Sequence, residues 1–475
     1  MNGMIREIKG RFSISILSGL LLIAVGHPIK AQDTSVLTPD AFIAQIRKYH
    51  PVVKQANLIT DNASAELLSA RGGFDPVFDL SNSQKSLDGV NYYNYTNPEL
   101  MLPTPVGVRL KAGFENSTGQ FINPEQSTGV TSYLGLELPV LNGLLLDKRR
   151  AILQQAKIYL QQSEQERQLM INDLLFDAYT TYWQWAGAYQ LFRVYNSYLE
   201  VADKRTRLVS LSFRNGDRAA ADTVEAFAQL QNYQLLQADA LMQLNDKALD
   251  LSLYLWTAGG KPYLLPSNYS PDTNQFTASL PFPDTSNLAA EVAMNHPLLR
   301  TSQFKLQDLE VERRLKFQNL LPVVNLQANL LSKEYFSYKA LSVNYLENNY
   351  KFGVNMRIPL LFRQGRGEYK SIKIKIKDAN LELTDKIWQL QTKIRQYYNE
   401  AFLLLNQIQT ARAMLGNYTS LLKTEELKFS QGESSLFLIN SRENKTLEMQ
   451  QKIIELQAKY KKAVYAIQWA GGIIR

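Results

Sequence analysis

The chain has 475 residues, of which 45% are hydrophobic and 20% are charged, and a formal net charge of +8. This composition is typical of a folded protein, and the charges do not form the long runs of one sign found in nucleic-acid-binding tails. The absence of cysteine excludes disulfides, thiol nucleophiles and a cysteine-linked lipid anchor. The three histidines are far apart, which argues against a histidine-rich metal site or a serine–histidine hydrolase.

Residues 1–31 have the pattern of a secretory signal peptide. Basic residues near the start precede an apolar run over residues 14–25, and Ala31 suits the position before a cleavage site. The run is short for a transmembrane helix, although an uncleaved anchor is the alternative. No later run reaches the length of a membrane-spanning helix, so a mature chain that spans a membrane is expected to do so without helices.

The first half of the chain predicts short helices and then strands. Thr38 is suited to cap a helix that runs to Gly72 with a break near Pro51. Within residues 74–140, apolar and polar residues alternate with the period of two that indicates β-strands. The alternating stretches are 77–81, 106–115 and 133–138. The piece between them that contains Tyr92, Tyr93 and Tyr95 predicts a loop.

Two long helices follow, predicted at 147–213 and 218–256. They are joined by a turn of four residues, Arg214, Asn215, Gly216 and Asp217. Residues 257–286 are rich in Gly, Pro, Ser, Asn and Thr and predict a linker or equatorial segment.

The same order of elements then starts again. His50-Pro51 is followed by Pro76, and His296-Pro297 is followed by Pro322 at the same spacing. The second copy predicts strands at 322–332 and 350–359, long helices at 366–429 and 434–470, and a turn made of Ser430, Gln431, Gly432 and Glu433. The chain therefore divides into a signal peptide at 1–31, repeat 1 at 32–256, a linker at 257–286 and repeat 2 at 287–475.

The helix predicted at 366–429 carries an apolar seam with steps of three and four residues and contains no proline. Its length would be roughly 95 Å at 1.5 Å per residue, which is too long for one compact domain. Residues 371–377 alternate like a strand, but Ile372 and Ile376 continue the helical seam, so we predict a helix there. The architecture is expected to be elongated and mainly helical.

The strands of repeat 2 are long enough to cross a bilayer when tilted. Their alternation predicts that one face meets water, with Asn325, Gln327, Lys351, Asn355 and Arg357 on it. The opposite face would meet lipid through Tyr350, Phe352 and Met356. Two strands per repeat cannot close a barrel, so several chains would have to share one. An ordinary small sheet packed on helices is the alternative.

The order, spacing and duplication of several short motifs resemble the TolC family of outer-membrane efflux and secretion channels. The motifs are the two His-Pro pairs, Leu138-Pro139-Val140-Leu141, Ile358-Pro359-Leu360-Leu361, Phe213-x-x-Gly216 and Phe429 to Ser435. The resemblance covers residues 36–472. It implies a mainly α fold with a membrane β-barrel part: a homotrimer with a shared twelve-stranded barrel, four strands per chain, above a periplasmic coiled-coil tunnel. Residues 75–140 are longer than this pattern requires, so 106–115 would be either an extra strand or a replacement for the first one.

The function that the resemblance implies is passage, with no catalysis and no cofactor or metal. The channel would stand in outer-membrane lipid and pass substrates received from an inner-membrane pump in a tripartite efflux or type I secretion system. The two glycine turns, Arg214 to Asp217 and Ser430 to Glu433, would dock a periplasmic adaptor protein. A secreted or periplasmic coiled-coil scaffold without channel activity is the alternative function.

The resemblance also implies a gate at the periplasmic mouth. In the family, acidic residues six and nine positions after a turn glycine ring the mouth, and a basic residue two positions after one helps to hold it shut. Here these positions are Arg218, Asp222 and Glu225 in repeat 1, whereas repeat 2 departs from the pattern with Ser434, Leu438 and Ser441. The spacing of Arg218 and Asp222 also allows an ordinary surface ion pair.

Overall fold

The computed structural model describes residues 35–123, 126–281, 292, 295–333 and 349–474, so the predicted signal peptide lies outside the described residues. The helices are α1 (Pro39–Tyr49), α2 (Pro51–Gly72), α3 (Lys148–Arg214), α4 (Ala220–Ser252), α5 (Thr273–Thr277), α6 (Pro297–Gln318), α7 (Arg363–Ser430) and α8 (Leu436–Ala470). The strands are β1 (Ser35–Leu37), β2 (Val77–Leu87), β3 (Val90–Pro103), β4 (Arg109–Thr118), β5 (Gly129–Pro139), β6 (Tyr269–Pro271), β7 (Val323–Lys333) and β8 (Tyr350–Arg357). In the described part of the chain, none of the helices combines the length and apolar character needed to cross a membrane.

The two His-Pro pairs are helix starts. His50 and His296 stand at the N-caps of α2 and α6, with the proline at the first helical position. Each imidazole Nδ1 accepts a hydrogen bond from a backbone N–H two residues on, from Val52 at 3.2 Å and from Leu298 at 3.1 Å. The imidazole takes the role of the usual Ser, Thr or Asp cap. Thr38 caps α1 as predicted, by accepting from the N–H of Ala41.

The long helices form one layer. Near the sheet, α3 packs against α2 and α6, and α6 packs against α7. Farther from the sheet, α3 packs against α4 and α8, and α8 packs against α7. The order across the layer is therefore α2-α3-α6-α7 at one level and α4-α3-α8-α7 at the other. Its outer members are α2 and α4 on one side and α7 on the other.

The predicted seam of α7 is confirmed. Ile372, Ala379, Leu390, Ile394, Ala401, Leu404, Ile408 and Ala411 are buried. The alternating stretch 371–377 lies within this helix, as predicted. A second core forms around the aromatic residues of α3, where Tyr182, Trp183 and Trp185 pack with Phe42 of α1 and Phe276 of α5. Residues 269–277 therefore belong to the packed body, with β6 paired in parallel with β1.

In the described part of the chain, the principal sheet has six antiparallel strands in the order β2-β3-β4-β5-β7-β8. The resemblance implies four strands per chain, and the two additional ones come from repeat 1. The prediction of a loop for the stretch that contains Tyr92, Tyr93 and Tyr95 is wrong, because this stretch lies in β3. The alternation at 106–115 belongs to the separate strand β4, which starts at Arg109 because Gly107 has a φ of +93° in the preceding turn.

The hairpin between β2 and β3 has a recognisable turn. Asp88 and Gly89 have φ values of 50° and 76°, as a two-residue hairpin turn of the mirror-image type requires. Pro98 and the many asparagines are unusual for a strand, since both residue types are depleted in sheets. The structure accommodates Pro98 where the β3–β4 pairing is interrupted, between the pairs Thr96–Asn116 and Glu99–Gly113. A proline has no N–H to donate at such a position.

Candidate functional site

One face of the six-stranded sheet is apolar from edge to edge. Residues paired across antiparallel strands project to the same face. One row along the register consists of Phe78, Leu100, Ala112, Leu134, Leu330 and Tyr350. The next consists of Leu102, Leu110, Leu136, Ala328 and Phe352. Phe78 and Tyr350, on the two edge strands, are each 67% exposed. Such a continuous apolar surface is typical of a contact with lipid or another apolar partner.

The five residues predicted to face water lie together on the opposite face. Asn325 pairs with Asn355, and the register places Gln327, Lys351 and Arg357 on the same side. Tyr350, Phe352 and Met356 lie on the apolar side, as their alternation with these residues requires. The structure thus brings the predicted set together on one surface, and its contact with a water-filled lumen stays a prediction.

A charge cluster on the polar face was not predicted from the sequence. Lys111 Nζ lies 3.7 Å from Glu99 Oε1 and 3.5 Å from Glu137 Oε2, and Arg109 also pairs with Glu137. The Tyr133 hydroxyl donates to Glu99 Oε2 at 2.8 Å. Arg109 and Lys111 stand two residues apart on β4, and the acids come from the strands on both sides. Glu99 lies on β3, for which the sequence predicts a loop, so no sequence pattern places Glu99 beside them.

At the opposite end of the long helices, the two predicted docking turns have the same backbone geometry. Gly216 and Gly432 have φ values of 85° and 82°. Asp217 N–H donates to Ser212 O, and Glu433 N–H donates to Lys428 O, each at 2.9 Å. These bonds close helices α3 and α7 with a Schellman motif, which needs a left-handed residue at the glycine. All eight predicted residues, Arg214 to Asp217 and Ser430 to Glu433, are exposed.

The three predicted gate residues are placed differently from one another. The Arg218 guanidinium lies over the ring of Phe429, with 4.1 Å between its carbon and the ring centroid. Glu225 Oε1 accepts a hydrogen bond from Asn440 Nδ2 at 3.1 Å. Asp222 is half-buried in the first turn of α4. Among the described residues no ion pair joins Arg218 to Asp222, so the alternative suggested by their spacing is not formed. Two of the three residues instead tie repeat 1 to repeat 2.

A buried ion pair lies near this end of the long helices, closer to the sheet than the glycine turns. Arg205 Nη1 lies 2.8 Å from Glu443 Oε2 and donates to Asn440 Oδ1 at 3.2 Å, and the Tyr233 hydroxyl donates to Glu443 Oε2 at 3.1 Å. Glu443 is 3% exposed. Burial lowers the pKa of Arg205, but the hydrogen bonds and charge of Glu443 outweigh it and leave that pKa above its ordinary value. The cluster joins α3, α4 and α8, and sequence spacing alone could not reveal it because its members belong to different repeats.

The segment that contains α5 is held by a buried lysine. Lys461 Nζ donates to the carbonyl oxygens of Gln275 at 2.6 Å and Ala278 at 2.7 Å, and it lies 4.8 Å from the centroid of the Trp183 ring. Burial lowers the pKa of Lys461 to about 8. These two hydrogen bonds tie the α5 segment to α8. In the described residues, no group of three or more histidine or acidic side chains is arranged to hold a metal ion.

This architecture is similar to that of known outer-membrane proteins. Residues 288–472 match the family model described as outer membrane efflux protein. The fold is similar to the CmeC outer membrane channel of Campylobacter jejuni, with a TM-score of 0.64 and 14% identity over 91% of this chain and 85% of that one. It is also similar to the MtrE outer membrane channel of Neisseria gonorrhoeae, with a TM-score of 0.65 and 12% identity over 91% and 88%.

A third similar structure is the outer membrane protein VceC of Vibrio cholerae, with a TM-score of 0.63 and 13% identity over 91% of this chain and 96% of that one. At these identities the likeness shows a shared fold. No curated protein matches the chain in sequence.

Proposed function

We propose that this chain belongs to the outer membrane efflux protein family, whose model matches residues 288–472, and that it is the outer-membrane channel of a tripartite export system and works as a homotrimer. The proposal rests on the layer of long helices together with the six-stranded sheet, called the wall below, because its two ends differ. At one end the sheet has an apolar face and a charged face, and at the other end two exposed glycine turns close the long helices. A helix as long as α7 spans roughly 100 Å at 1.5 Å per residue, which suits a tunnel that leads away from the membrane.

The open edges of the wall support a ring of several chains. Among the described strands of the sheet, β2 and β8 each have a neighbour on one side only. In the helical layer, α2 and α4 stand at one edge and α7 stands at the other. Repeat 1 therefore supplies one open edge at every level and repeat 2 supplies the other. Such an arrangement is suited to head-to-tail closure under cyclic symmetry.

The outer helices also carry exposed apolar stripes. Leu235, Met242 and Leu249 recur every seventh residue on α4, and each is more than half exposed. On α7, Ile374, Leu381 and Trp388 recur with the same spacing, followed by Phe402, and all are more than half exposed. A seven-residue apolar repeat is the pattern of a coiled-coil seam. Phe402 and Leu249 lie at similar distances from the turns at Gly432 and Gly216, so the two stripes reach the same level of the wall.

In the trimer, the apolar rows of the sheet would face lipid, and the face with Asn325, Gln327, Lys351, Asn355 and Arg357 would line the lumen. A lipid-facing apolar band and a polar interior are the rule for membrane barrels. The exposed apolar surface disfavours a soluble scaffold, because a water-exposed sheet of this kind would be prone to association.

The glycine turns are the proposed contacts with a periplasmic adaptor that links the channel to an inner-membrane pump. Their exposure and their matched geometry in the two repeats support this assignment. Threefold symmetry would place three copies of Asp222 and Glu225 near one axis, where carboxylates attract cations. Arg218 would act on this mouth through its contact with Phe429, by holding the two turns together.

The test combines localisation with conductance. The chain is expected in the outer-membrane fraction as a trimer that migrates more slowly on a gel before boiling than the monomer that boiling releases, and it should form channels in a planar lipid bilayer. Asp222→Ala combined with Glu225→Ala is expected to reduce the preference for cations. Glu200→Ala combined with Asp203→Ala removes the same charge from α3 and serves as the control. A soluble elongated protein without conductance would refute the channel, and unchanged ion preference in the first variant would refute the gate.

A further inference from the structure

We infer that three chains close a barrel of eighteen strands, six from each, in which β2 of one chain pairs with β8 of the next. The inference rests on the proposed trimer and concerns the width of its membrane end. The partner at each open edge is a second copy of this chain. The sheet order gives each copy six consecutive antiparallel strands, and an even number keeps the alternation intact when β8 meets β2.

The two additional strands take part in the same surface as the others. The apolar row starts at Phe78 on β2, passes through Leu100 on β3 and ends at Tyr350 on β8. Phe78 is 67% exposed and Leu100 is 48% exposed. If the β2–β3 hairpin folded away from the barrel, its side chains would not need to be apolar in the row that continues across the other four strands. β2 and β3 are therefore placed as membrane strands.

The charged face leads to the same conclusion. In a barrel of four strands per chain, β4 would be the first strand and would have to leave β3 to meet β8 of a neighbour. This would separate Lys111 from Glu99 and the Tyr133 hydroxyl from Glu99, and it would break the pairing of residues 99–103 with residues 109–113. Glu99 would lose both of these partners, and leaving its charge unpaired in a partly buried site is costly.

The β3–β4 turn shows that these strands run to the helical end of the sheet. The position of a Cβ atom on Gly107 would lie 2.9 Å from Arg150 Nη2. The Arg150 side chain starts in the first turn of α3 and donates to the carbonyl oxygens of Gly143 and Leu144. The turn therefore sits against the junction where β5 passes into the tunnel helix, at the level expected for a periplasmic turn of the barrel.

The apolar side chains of β2 are confined to its first part. Phe78 and Leu80 are apolar, whereas residues 81–86 are polar on both faces. The far part of the β2–β3 hairpin thus extends beyond the apolar band, on the side away from the helices. This fits an external projection of a membrane hairpin, which in such barrels is the longer side.

A larger number of strands changes what the membrane end can pass. The diameter of a barrel grows roughly in proportion to its strand number, so eighteen strands give about one and a half times the diameter of twelve. The lumen would also carry three copies of the cluster formed by Glu99, Lys111, Arg109 and Glu137. The barrel is then a wide, charged vestibule that suits bulky polar cargo.

Disulfide crosslinking distinguishes the two barrels, and the chain has no cysteine of its own to interfere. Ser83 on β2 and Ser117 on β4 both pair with Tyr95 of β3, so they lie in one row on the polar face. Each would be changed to cysteine in turn and combined with a single cysteine at position 351, 353, 355 or 357 of β8. Testing four positions allows for different registers between chains.

With Ser83→Cys, at least one of the four combinations is expected to give covalent dimers and trimers in the outer-membrane fraction after oxidation. With Ser117→Cys, none is expected to do so. Crosslinks through Ser117→Cys, or through neither position, would overturn the eighteen-stranded barrel. Unboiled samples without oxidant report the trimer separately, so its absence would count against the proposed function itself. Single-cysteine chains control for unspecific crosslinking.

Discussion

The guanidinium of Arg218, from the first repeat, lies 4.1 Å from the centre of the Phe429 ring, from the second. This contact joins the two glycine turns at the end of the long helices, and Val209, Ala226 and Leu436 form a small core beside Phe429. Arg218, which the family resemblance places at a gate, thus also connects the two repeats within one chain.

Arg218→Ala is expected to loosen both turns, because a cation–π contact at such a site contributes about 0.5–1 kcal/mol. Hydrogen exchange should become faster in residues 212–218 and also in residues 428–434, although the second segment is not mutated. Arg218→Lys keeps a cation and should have a smaller effect. Faster exchange in the first segment alone would show that the contact does not couple the turns.

The buried pair of Arg205 and Glu443 predicts a larger effect. Arg205→Ala would leave the Glu443 carboxylate in a site where it is 3% exposed, and breaking such a pair costs about 3–5 kcal/mol. The exposed pair of Arg207 and Asp203, with Arg207 at 79% exposure of its side chain, is the control. Arg207→Ala should change stability by less than about 1 kcal/mol. Denaturant unfolding in detergent measures both, and equal losses would contradict the role given to the buried pair.

The elements that the sequence predicted well are those with a long, regular period. The seam of α7 could be read because its buried residues, from Ile372 to Ala411, recur at helical spacing without a proline. The turns at Gly216 and Gly432 could be located because a left-handed residue at the end of a helix strongly favours glycine.

The sheet is harder to predict, because each strand is stabilised by neighbouring strands that cannot be identified from its own sequence. β3 is rich in tyrosine and asparagine and contains Pro98, so its composition favoured a loop, whereas the Asp88-Gly89 turn was the available sign of a hairpin. The ion pair between Lys111 and Glu99 depended on that missed strand. The contacts of Arg218 and Glu225 join different repeats, which local spacing cannot predict.

The histidine caps predict a dependence of stability on pH. Burial lowers the pKa of His296 to about 4. The unfolded chain takes up a proton at this residue near its ordinary pKa of about 6.5, whereas the folded chain does so near 4. Stability that is present above pH 6.5 is therefore lost as the pH falls towards 4, by roughly 3 kcal/mol in total.

His296→Asn retains a capping side chain but cannot titrate. Its denaturation midpoint should fall less than that of the unchanged chain between pH 7 and pH 5. His50→Asn is the matched variant in repeat 1. Its effect should be smaller, because burial lowers the pKa of His50 but a hydrogen bond with the backbone of Leu253 partly offsets this. Parallel pH profiles for the unchanged chain and His296→Asn would contradict the prediction.

The exposed stripe on α4 predicts where the chains of the proposed trimer meet. Met242 is 58% exposed and stands between Leu235 and Leu249 in the seven-residue repeat. Met242→Glu would place a charge in the seam between two chains, where it loses water without gaining a partner, at a cost of several kcal/mol for each of three copies. Gln234→Glu adds the same charge on the exposed flank of α4, a quarter turn from the stripe.

Met242→Glu is expected to abolish the trimer band on unboiled gels while leaving the helical circular dichroism of the chain unchanged. Gln234→Glu should retain the trimer. Because the intrachain core of α4 is made by Ala226, Leu230, Tyr233 and Ala240 on its other side, the loss of the trimer can be separated from misfolding. A normal trimer with Met242→Glu would mean that neighbouring chains meet elsewhere, and the ring would then have to close through the sheet edges and α2.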